Sequence, residues 1–354
     1  MTPTNETPDA ITAAVDPQRL GLYLRDNLPQ FAGPFRIQRL GEGQSCLTFL
    51  VEGDSWRVVL RRPPRGDLPP TAFDVTREYR VMRALAGSGA PVRVPTPLAV
   101  CEDKTVIGAP FYLMEEVRGL VVRGELPGAL AGLEDRWRMG ELLLNTLVSL
   151  HQVDYRAVGL EGFGKPEGYL ERQLQRMRQL WDRARFRDVP DIEEVGVWLA
   201  DNLPEEQKPT IVHGDYKLDN VIFAPTSPAT LLAIVDWEMS TLGDPLVDLG
   251  WMLYFWADPD DAGFEVPLPT VTSMEGFPRR AELLARYAES SGLPCADIPW
   301  YVALAGWKIA IIMEGSYRRF LGGIKDHPSF EALGLGVLML AHRARAATAG
   351  SFGL

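Results

Sequence analysis

The sequence predicts an α+β fold of two lobes, in which a small antiparallel β lobe with one main helix precedes a larger, mostly helical lobe. Residues 16–117 consist mainly of short apolar runs separated by turns, which is typical of antiparallel strands. Residues 118–354 contain long segments with apolar residues at helical spacing. Residues 1–15 are polar and aperiodic, so we expect a disordered tail there.

Composition restricts the function classes. The chain has 354 residues, of which 46% are hydrophobic, enough for a sizeable core. Its net charge of −11 argues against nucleic acid as a partner, because phosphate contacts need clustered lysine and arginine. The three cysteines are widely spaced, so neither a disulfide framework nor a zinc site is expected. No leader-like segment or membrane-length apolar run occurs, and we expect a cytoplasmic protein with no membrane partner.

The elements of the first lobe follow from caps, alternation and turns. Asp16 and Pro17 offer an N-cap and a first-turn proline, so a helix is expected to run to Leu28. A second helix is expected at 74–85, with Asp74 as its cap. Strands are expected, in order, at 35–40, 46–52, 56–61, 97–101 and 111–117.

Long helices dominate the chain after a lobe boundary near Arg118-Gly119. Helical spacing predicts them, in order, at 133–151, 167–184, 191–202, 245–256, 276–290, 298–320 and 329–346. The main irregular insertion is the loop 257–272, which contains two proline-bearing stretches. Two short apolar runs flank a polar loop within 211–224, so its side chains are presented at a strand end.

The first lobe carries three features that suit a nucleotide. Gly41 and Gly43 lie between two strands, where backbone N–H groups can approach phosphate oxygens, although such glycines more often mark an ordinary hairpin turn. Arg61 ends the third strand and Glu78 lies in the next helix, so they can form an ion pair near phosphates or remain a surface arginine and a solvated glutamate. Arg61 is favoured over Arg62 because alternation places it on the same face as Val59.

The segment from Met114 to Val117 joins the last predicted strand to the lobe boundary. Nucleotide bases are commonly held by backbone groups in a crevice of this kind. A plain linker is the alternative.

The polar loop carries the strongest chemical signal. Asp215 can accept a proton from a hydroxyl group, and Asn220 and Asp236 supply hard oxygen ligands suited to Mg²⁺. Lys217 can contact a transferred phosphoryl group. His213 is expected to make structural hydrogen bonds, since it follows a buried strand and has no Ser or Cys nucleophile beside it. Asp244 and Asp248 are expected to satisfy free N–H groups at a helix start.

These motifs resemble those of the aminoglycoside phosphotransferase family, which has a protein-kinase-like fold. The resemblance covers residues 30–345 and rests on H-G-D-Y-K-L-D-N, I-V-D-W-E and G-D-P-L-V-D-L-G-W. With V-L-R-R-P-P in the third strand, the chain looks most similar to the kinase-like domains related to acyl-CoA dehydrogenase family members. The resemblance implies ATP or GTP and Mg²⁺ as cofactors, and a small hydroxyl-bearing acceptor.

The resemblance also assigns roles residue by residue. Asp215 takes the position of the catalytic base, and Asn220 and Asp236 those of the Mg²⁺ ligands. The positions implied for the nucleotide are Gly41, Gly43 and Ser45 in the glycine loop, Arg61 in place of the strand lysine, Glu78 as its helix partner, and Met114, Glu115 and Val117 beside adenine.

The expected function is therefore that of an ATP- and Mg²⁺-dependent small-molecule kinase. The alternative is a nucleotide-binding pseudokinase module, in which Arg61 prevents the correct alignment of the phosphates. The acceptor stays open. Acidic residues at 258–261 suit a cationic antibiotic, but a metabolite acceptor is equally compatible. Lys308, Glu314 and Arg318 are candidates for lining the acceptor pocket, or they form an ordinary amphipathic helix.

Overall fold

A five-stranded antiparallel sheet forms the first lobe. The computed structural model describes residues 14–41, 46–64, 74–261, 271–323 and 330–354. The strands are β1 (Phe35–Arg39), β2 (Leu47–Gly53), β3 (Arg57–Arg62), β4 (Pro97–Cys101) and β5 (Phe111–Glu115). They lie in the order β1-β2-β3-β5-β4, and every neighbouring pair is antiparallel.

The two faces of this sheet pack against different partners, because side chains alternate along each strand. Val58 and Leu60 of β3 pack in a cluster with residues of helix α1 (Pro17–Asn27). The intervening Val59 and Arg61 lie on the opposite face and line a cavity between the lobes. Arg62 returns to the α1 side, where its Nη1 donates to the carbonyl of Ile107 at 3.0 Å.

Helix α2 (Val75–Ala86) crosses the cavity side of the sheet and is attached to the second lobe. Asp74 caps it, with Oδ1 accepting the N–H of Thr76 at 3.0 Å. Arg77 Nη2 donates to the carbonyl of Phe163 at 2.7 Å, and Arg80 Nη2 donates to that of Gly159 at 3.1 Å. The orientation of α2 is thus set by both lobes. A one-turn helix, α3 (Lys104–Ile107), precedes β5.

The second lobe is mainly helical. Its helices are α4 (Leu133–His151), α5 (Tyr169–Ala184), α6 (Pro190–Asp201), α7 (Leu246–Phe255), α8 (Arg280–Ser291), α9 (Ile298–Leu321) and α10 (Leu333–Thr348). Five short strands accompany them, namely β6 (Leu120–Val121), β7 (Thr210–Val212), β8 (Val221–Phe223), β9 (Leu231–Ile234) and β10 (Thr241–Gly243). Strands β6, β8 and β9 form one sheet, and β7 pairs with β10. Among the described residues, no helix is long and apolar enough to span a membrane.

Gly119 directly precedes β6 and lies close to β8. A Cβ atom at this position would collide with the carbonyl oxygen of Phe223 in β8. Glycine therefore allows the segment entering β6 to approach β8 closely. The two strands then pair antiparallel, with Leu120 opposite Phe223.

The predicted α+β class with a sheet lobe and a helical lobe is confirmed, and the structure corrects several element limits. The strand expected to reach residue 117 ends at Glu115. The helix expected from 276 begins at Arg280, because Pro278 disfavours helix before it and the Arg279 N–H donates to Glu282 Oε2 at 2.7 Å. Short elements such as α3 and β10 were not predicted, since three or four residues carry no measurable periodicity.

Part of the predicted tail, residues 1–13, lies outside the described residues. The last two residues of that segment, Ala14 and Val15, are buried against the first lobe. Arg62 Nη1 also donates to the carbonyl of Ala14. The described end of this segment is therefore part of the packed structure, and the lobe division at 117/118 stays a prediction.

Candidate functional site

The loop between β7 and β8, residues 213–220, is held in place by Asp248 in the first turn of α7. The N–H groups of His213 and Gly214 donate to the two Asp248 carboxylate oxygens at 2.6 and 2.8 Å. Gly214 has a φ of +85°, and a Cβ there would lie 2.6 Å from the carbonyl oxygen of Met239. Only glycine fits this turn without strain.

The structure therefore changes the expectation for the two aspartates near this helix. Asp244 does satisfy the helix start, since its Oδ1 accepts the N–H of Leu246 at 2.9 Å. Asp248 instead accepts hydrogen bonds from a loop 34 and 35 residues earlier in the chain. It is fully buried, and these bonds offset the cost of removing its charge from water.

His213 has the structural role that was expected. It is fully buried, and its Nε2 lies 3.1 Å from the carbonyl oxygen of Val235. Its Nδ1 accepts the N–H of Asp215 at 3.2 Å. Since a carbonyl cannot donate, the ring proton must be on Nε2. Both ring nitrogens are occupied, so His213 holds the loop and has no lone pair free to act as a base.

The Asp215 carboxylate is fixed by three side chains. Oδ1 accepts from Trp251 Nε1 at 2.8 Å and lies 3.0 Å from Lys217 Nζ. Oδ2 accepts from Asn220 Nδ2 at 2.7 Å. The side chain is still 17% exposed, so a small molecule can reach it. An oriented and accessible carboxylate is what a general base requires.

Lys217 stands between two carboxylates. Its Nζ is 3.0 Å from Asp215 and 3.8 Å from Asp219, and it lies 5.0 Å from the ring centroid of Phe255. Burial lowers the pKa of Lys217, but Asp215 and Asp219 raise it by more, so the net shift is upward. Burial raises the pKa of Asp219 against the attraction of Lys217. Lys217 therefore carries its positive charge next to Asp215.

Asn220 and Asp236 both line the cavity between the lobes. Asn220 Nδ2 donates to the Asp215 carbonyl at 2.8 Å as well as to its carboxylate, which leaves Asn220 Oδ1 available to a ligand. Asp236 has a φ of +68°, a conformation that no other non-glycine residue adopts in the described part of the chain. The left-handed backbone is uncommon for an L-residue and often marks a functional position.

Arg61 joins Glu78 of α2 to Asp236 of the second lobe. Its Nη2 donates to Asp236 Oδ1 at 2.6 Å. Its Nε lies 2.9 Å from Glu78 Oε2, an ion pair without the alignment of a hydrogen bond. Tyr112 Oη also donates to Glu78 Oε2, at 3.0 Å. The arginine and the glutamate that the sequence singled out are thus in contact.

Burial and charge act in opposite directions on this pair. Glu78 is 1% exposed, and burial raises its pKa while Arg61 opposes the shift. Burial lowers the pKa of Arg61, but Glu78 and Asp236 outweigh it and the pKa is well above the ordinary value. The guanidinium is therefore a permanent charge at this point of the cavity.

A cavity of about 440 Å³ lies between the lobes, within the size range of small-molecule sites. Seven of the residues predicted to contact nucleotide or metal line it, namely Gly41, Arg61, Met114, Glu115, Val117, Asn220 and Asp236. Glu78 and Asp215 are not among the lining residues. Glu78 contacts Arg61, which lines the cavity, and Asp215 contacts Asn220, which also lines it. Gly43 and Ser45 lie outside the described residues.

Fewer backbone groups are available to hold a base than the sequence suggested. The N–H of Glu115 donates to the Thr96 carbonyl at 2.9 Å, and its side chain accepts the Thr96 N–H at 3.0 Å. The N–H of Glu115 is therefore not available to a base. Val117 has no hydrogen-bond partner for its N–H or carbonyl among the described residues, so both remain available.

Several site residues were not predicted. Trp251 orients Asp215 from α7, and the only sequence signal was its position one turn after Asp248. Asp219 and Arg123 line the cavity, as do the apolar side chains of Val121 and Ile222. Asp219 directly precedes Asn220 in the loop motif, whereas nothing in the local sequence singled out Arg123.

Of the three α9 residues that were candidates for lining an acceptor pocket, two are engaged in contacts within the protein and one is not paired with a carboxylate in the described part of the chain. Glu314 is fully buried and paired with Arg187, whose Nη2 lies 2.8 Å from Oε2. Arg318 donates to the carbonyl of Arg183. Both are structural. Lys308 is 3% exposed, lies 5.4 Å from the ring centroid of Trp251, and has no carboxylate at ion-pair distance among the described residues.

The acidic stretch 258–261 does not form a free acidic pocket. Arg280 Nη2 lies 2.6 Å from Asp261 Oδ1, and Arg343 Nη2 lies 3.2 Å from Asp261 Oδ2. Asp258 is 3.5 Å from Arg280 Nε. Asp260 pairs with Arg279, the residue before α8. Each carboxylate of the stretch thus already has an arginine partner, which argues against the expected acidic pocket for a cationic acceptor.

Three comparisons bear on this arrangement. The sequence model of the phosphotransferase enzyme family matches residues 36–283. Acyl-CoA dehydrogenase family member 11 of Gallus gallus is 36% identical over 318 residues, which is 87% of this chain and 40% of the relative. The chain thus spans less than half the length of this curated relative.

Solved structures share the fold. A candidate aminoglycoside phosphotransferase from Ralstonia eutropha JMP134 superposes with a TM-score of 0.79 at 31% identity, covering 94% of this chain and 98% of that one. Spectinomycin phosphotransferase in complex with ADP and spectinomycin superposes with a TM-score of 0.59 at 12% identity, covering 92% of this chain and 98% of that one. At that identity the second likeness concerns the fold alone.

Proposed function

Because the chain belongs to the phosphotransferase enzyme family, we propose that it is an ATP- and Mg²⁺-dependent kinase that transfers the γ-phosphoryl group to a small hydroxyl-bearing acceptor. The observation that carries the proposal is the Asp215 carboxylate, held by Trp251, Lys217 and Asn220 beside a cavity lined by both lobes. A cytoplasmic location, expected from the sequence, stays a prediction.

In this proposal the reaction is carried out by residues of the loop together with Trp251 of α7. Asp215 accepts the hydroxyl proton and orients the attacking oxygen. Lys217, charged and 19% exposed, contacts the transferred phosphoryl group. Trp251 and Asn220 keep the carboxylate in one orientation before the acceptor arrives, which removes an entropic cost from the reaction.

The residues present fit a magnesium ion. Asn220 Oδ1 and Asp236 Oδ2 have no hydrogen-bond partner among the described residues, and both side chains line the cavity. Amide and carboxylate oxygens together with phosphate oxygens are the usual environment of Mg²⁺ in nucleotide sites. When bound, the ion supplies positive charge that stabilises the developing charge on the phosphates.

The nucleotide would occupy the cavity between the lobes. Gly41, which has a φ of +69°, begins the glycine loop on the phosphate side. The free backbone groups of Val117 would face the base, with Met114 beside it. These groups do not distinguish adenine from guanine, so ATP and GTP both belong in the assay.

For the acceptor we favour a metabolite over an antibiotic. The relative at 36% identity is named as an acyl-CoA dehydrogenase family member, and the solved structure at 31% identity as a candidate aminoglycoside phosphotransferase, so both acceptor classes belong in the panel. In the acidic stretch that would suit a cationic antibiotic, Asp258 and Asp261 are paired with Arg280 and Arg343. Hydroxylated acyl compounds therefore come first in the acceptor panel, before aminoglycosides, choline-like alcohols and sugars.

The test is ADP release from ATP with this panel, with product mass confirmed for each positive compound. We expect Asp215→Asn to lower kcat by roughly 100- to 10,000-fold, the usual contribution of a general base. Asp182→Asn, at an exposed position of α5, is the matched control and should retain wild-type kcat. Wild-type turnover by Asp215→Asn would contradict the proposal.

One observation favours a second function, a nucleotide-binding module without catalysis. Arg61, standing where related kinases have lysine, contacts Asp236 directly. Such a module would bind nucleotide, and no compound of the panel would be phosphorylated. Thermal-shift titration with MgATP and MgADP beside the turnover assay distinguishes the two functions.

A further inference from the structure

The contact between Arg61 and Asp236 bears on how many metal ions the site can hold. Nη2 of Arg61 lies 2.6 Å from Asp236 Oδ1 and 3.5 Å from Glu238 Oε2. The Arg61 side chain is 9% exposed, so its charge is little screened by water. A permanent cation therefore already occupies one side of the Asp236 carboxylate.

The remaining oxygen donors suffice for one ion. Asn220 Oδ1 and Asp236 Oδ2 are the two side-chain oxygens of the predicted metal ligands that make no hydrogen bond among the described residues. Two protein oxygens with phosphates and water complete the six-fold environment that Mg²⁺ prefers. In protein kinases the corresponding aspartate and asparagine serve two Mg²⁺ ions. Asp236 Oδ1 could serve a second ion only in competition with the guanidinium, which already donates to it.

Building on the proposed function, we propose that the Arg61 guanidinium takes the place of a second metal ion, so that the enzyme binds its nucleotide with a single divalent cation held by Asn220 and Asp236. Arginine suits this task because its plane presents Nε to Glu78 and Nη2 to Asp236 at the same time. A lysine ammonium has three donors on one nitrogen at the end of a flexible chain, so it would fix two separate carboxylates less rigidly than the planar guanidinium does.

The experiment counts ions without turnover. Mn²⁺ is titrated into protein and AMP-PNP at equal concentrations well above Kd, and free Mn²⁺ is followed by electron paramagnetic resonance. We expect one bound ion per complex for the wild type and two for Arg61→Lys, in which Asp236 Oδ1 is released. Arg36→Lys changes an arginine on β1 that is 67% exposed, and it should bind one ion like the wild type.

Two bound ions in the wild type overturn the inference by themselves. One bound ion in both the wild type and Arg61→Lys also overturns it, because Arg61 would then not determine the count. Neither result concerns phosphoryl transfer, since AMP-PNP is not consumed. Conversely, an acceptor panel without any phosphorylated product overturns the proposed function and leaves the ion count unchanged.

Discussion

Replacing Lys308 with methionine is expected to stabilise the protein. Lys308 is 3% exposed, and its Nζ lies 5.4 Å from the ring centroid of Trp251. Burial lowers its pKa to about 8 from an ordinary value of 10.5, while Asp248 and Asp215 oppose the shift and Arg176 adds to it. Methionine has a similar length and no charge to remove from water.

The size of the effect follows from the pKa shift. One pKa unit corresponds to about 1.4 kcal/mol, so a shift from 10.5 to about 8 places the cost of the buried ammonium near 3 kcal/mol. The cost is complete below about pH 8, where the amine is protonated in both the folded and the unfolded state. Lys308→Met should therefore raise the free energy of unfolding by up to about 3 kcal/mol near neutral pH.

The pH dependence has a definite sign. Between about pH 8 and 10.5 the unfolded chain still binds the proton and the folded protein does not, so wild-type stability rises with pH. The difference in unfolding free energy between Lys308→Met and the wild type should accordingly shrink over this window. Taking the difference cancels other groups that titrate there.

Urea unfolding at about pH 7 and about pH 10 measures both quantities. Lys208→Met, at an exposed position, is the matched control and should behave like the wild type at both pH values. Equal stability of Lys308→Met and the wild type near neutral pH, with no change at high pH, would refute the reasoning. The ammonium would then be solvated and its burial energetically unimportant.

Two further substitutions test buried charges elsewhere. Arg187→Met should lower the free energy of unfolding by about 3–5 kcal/mol, because it leaves the fully buried Glu314 unpaired. Adding Glu314→Met should recover most of that loss in urea titrations, and a single variant as stable as the wild type would contradict this view. Asp248→Asn turns an amide toward the N–H donors of His213 and Gly214 and should cost about 1–3 kcal/mol. An unchanged Tm would show that these bonds do not hold the loop.

Local signals located most of the elements. Helix α1 begins behind Asp16, whose Oδ1 accepts the N–H of Gln18 at 2.9 Å, and α2 begins in the same way behind Asp74. Strand alternation placed Arg61 on the cavity side and Arg62 on the opposite side. Caps and alternation act within a few residues, so one sequence is enough to find them.

These local signals do not reveal contacts between residues that are far apart in the sequence. Asp261 bonds to Arg343, 82 residues later, and nothing near Asp261 reveals that its charge is neutralised. Trp251 reaches Asp215 from a helix 36 residues away. The buried state of Lys308 also depends on how α9 packs, because the local sequence fits an amphipathic helix equally well.

The attachment of α2 to the second lobe has a consequence for how the site is assembled. The bonds from Arg77 to Phe163 and from Arg80 to Gly159 lie outside the nucleotide cavity and form as the chain folds. Glu78 is therefore already beside Arg61 before any ligand enters, and no rotation of the helix is required to bring them together. The conformational entropy of aligning this pair is lost when the chain folds, so ligand binding does not have to order the pair again. A nucleotide that enters the cavity therefore meets an Arg61–Glu78 ion pair that is already formed.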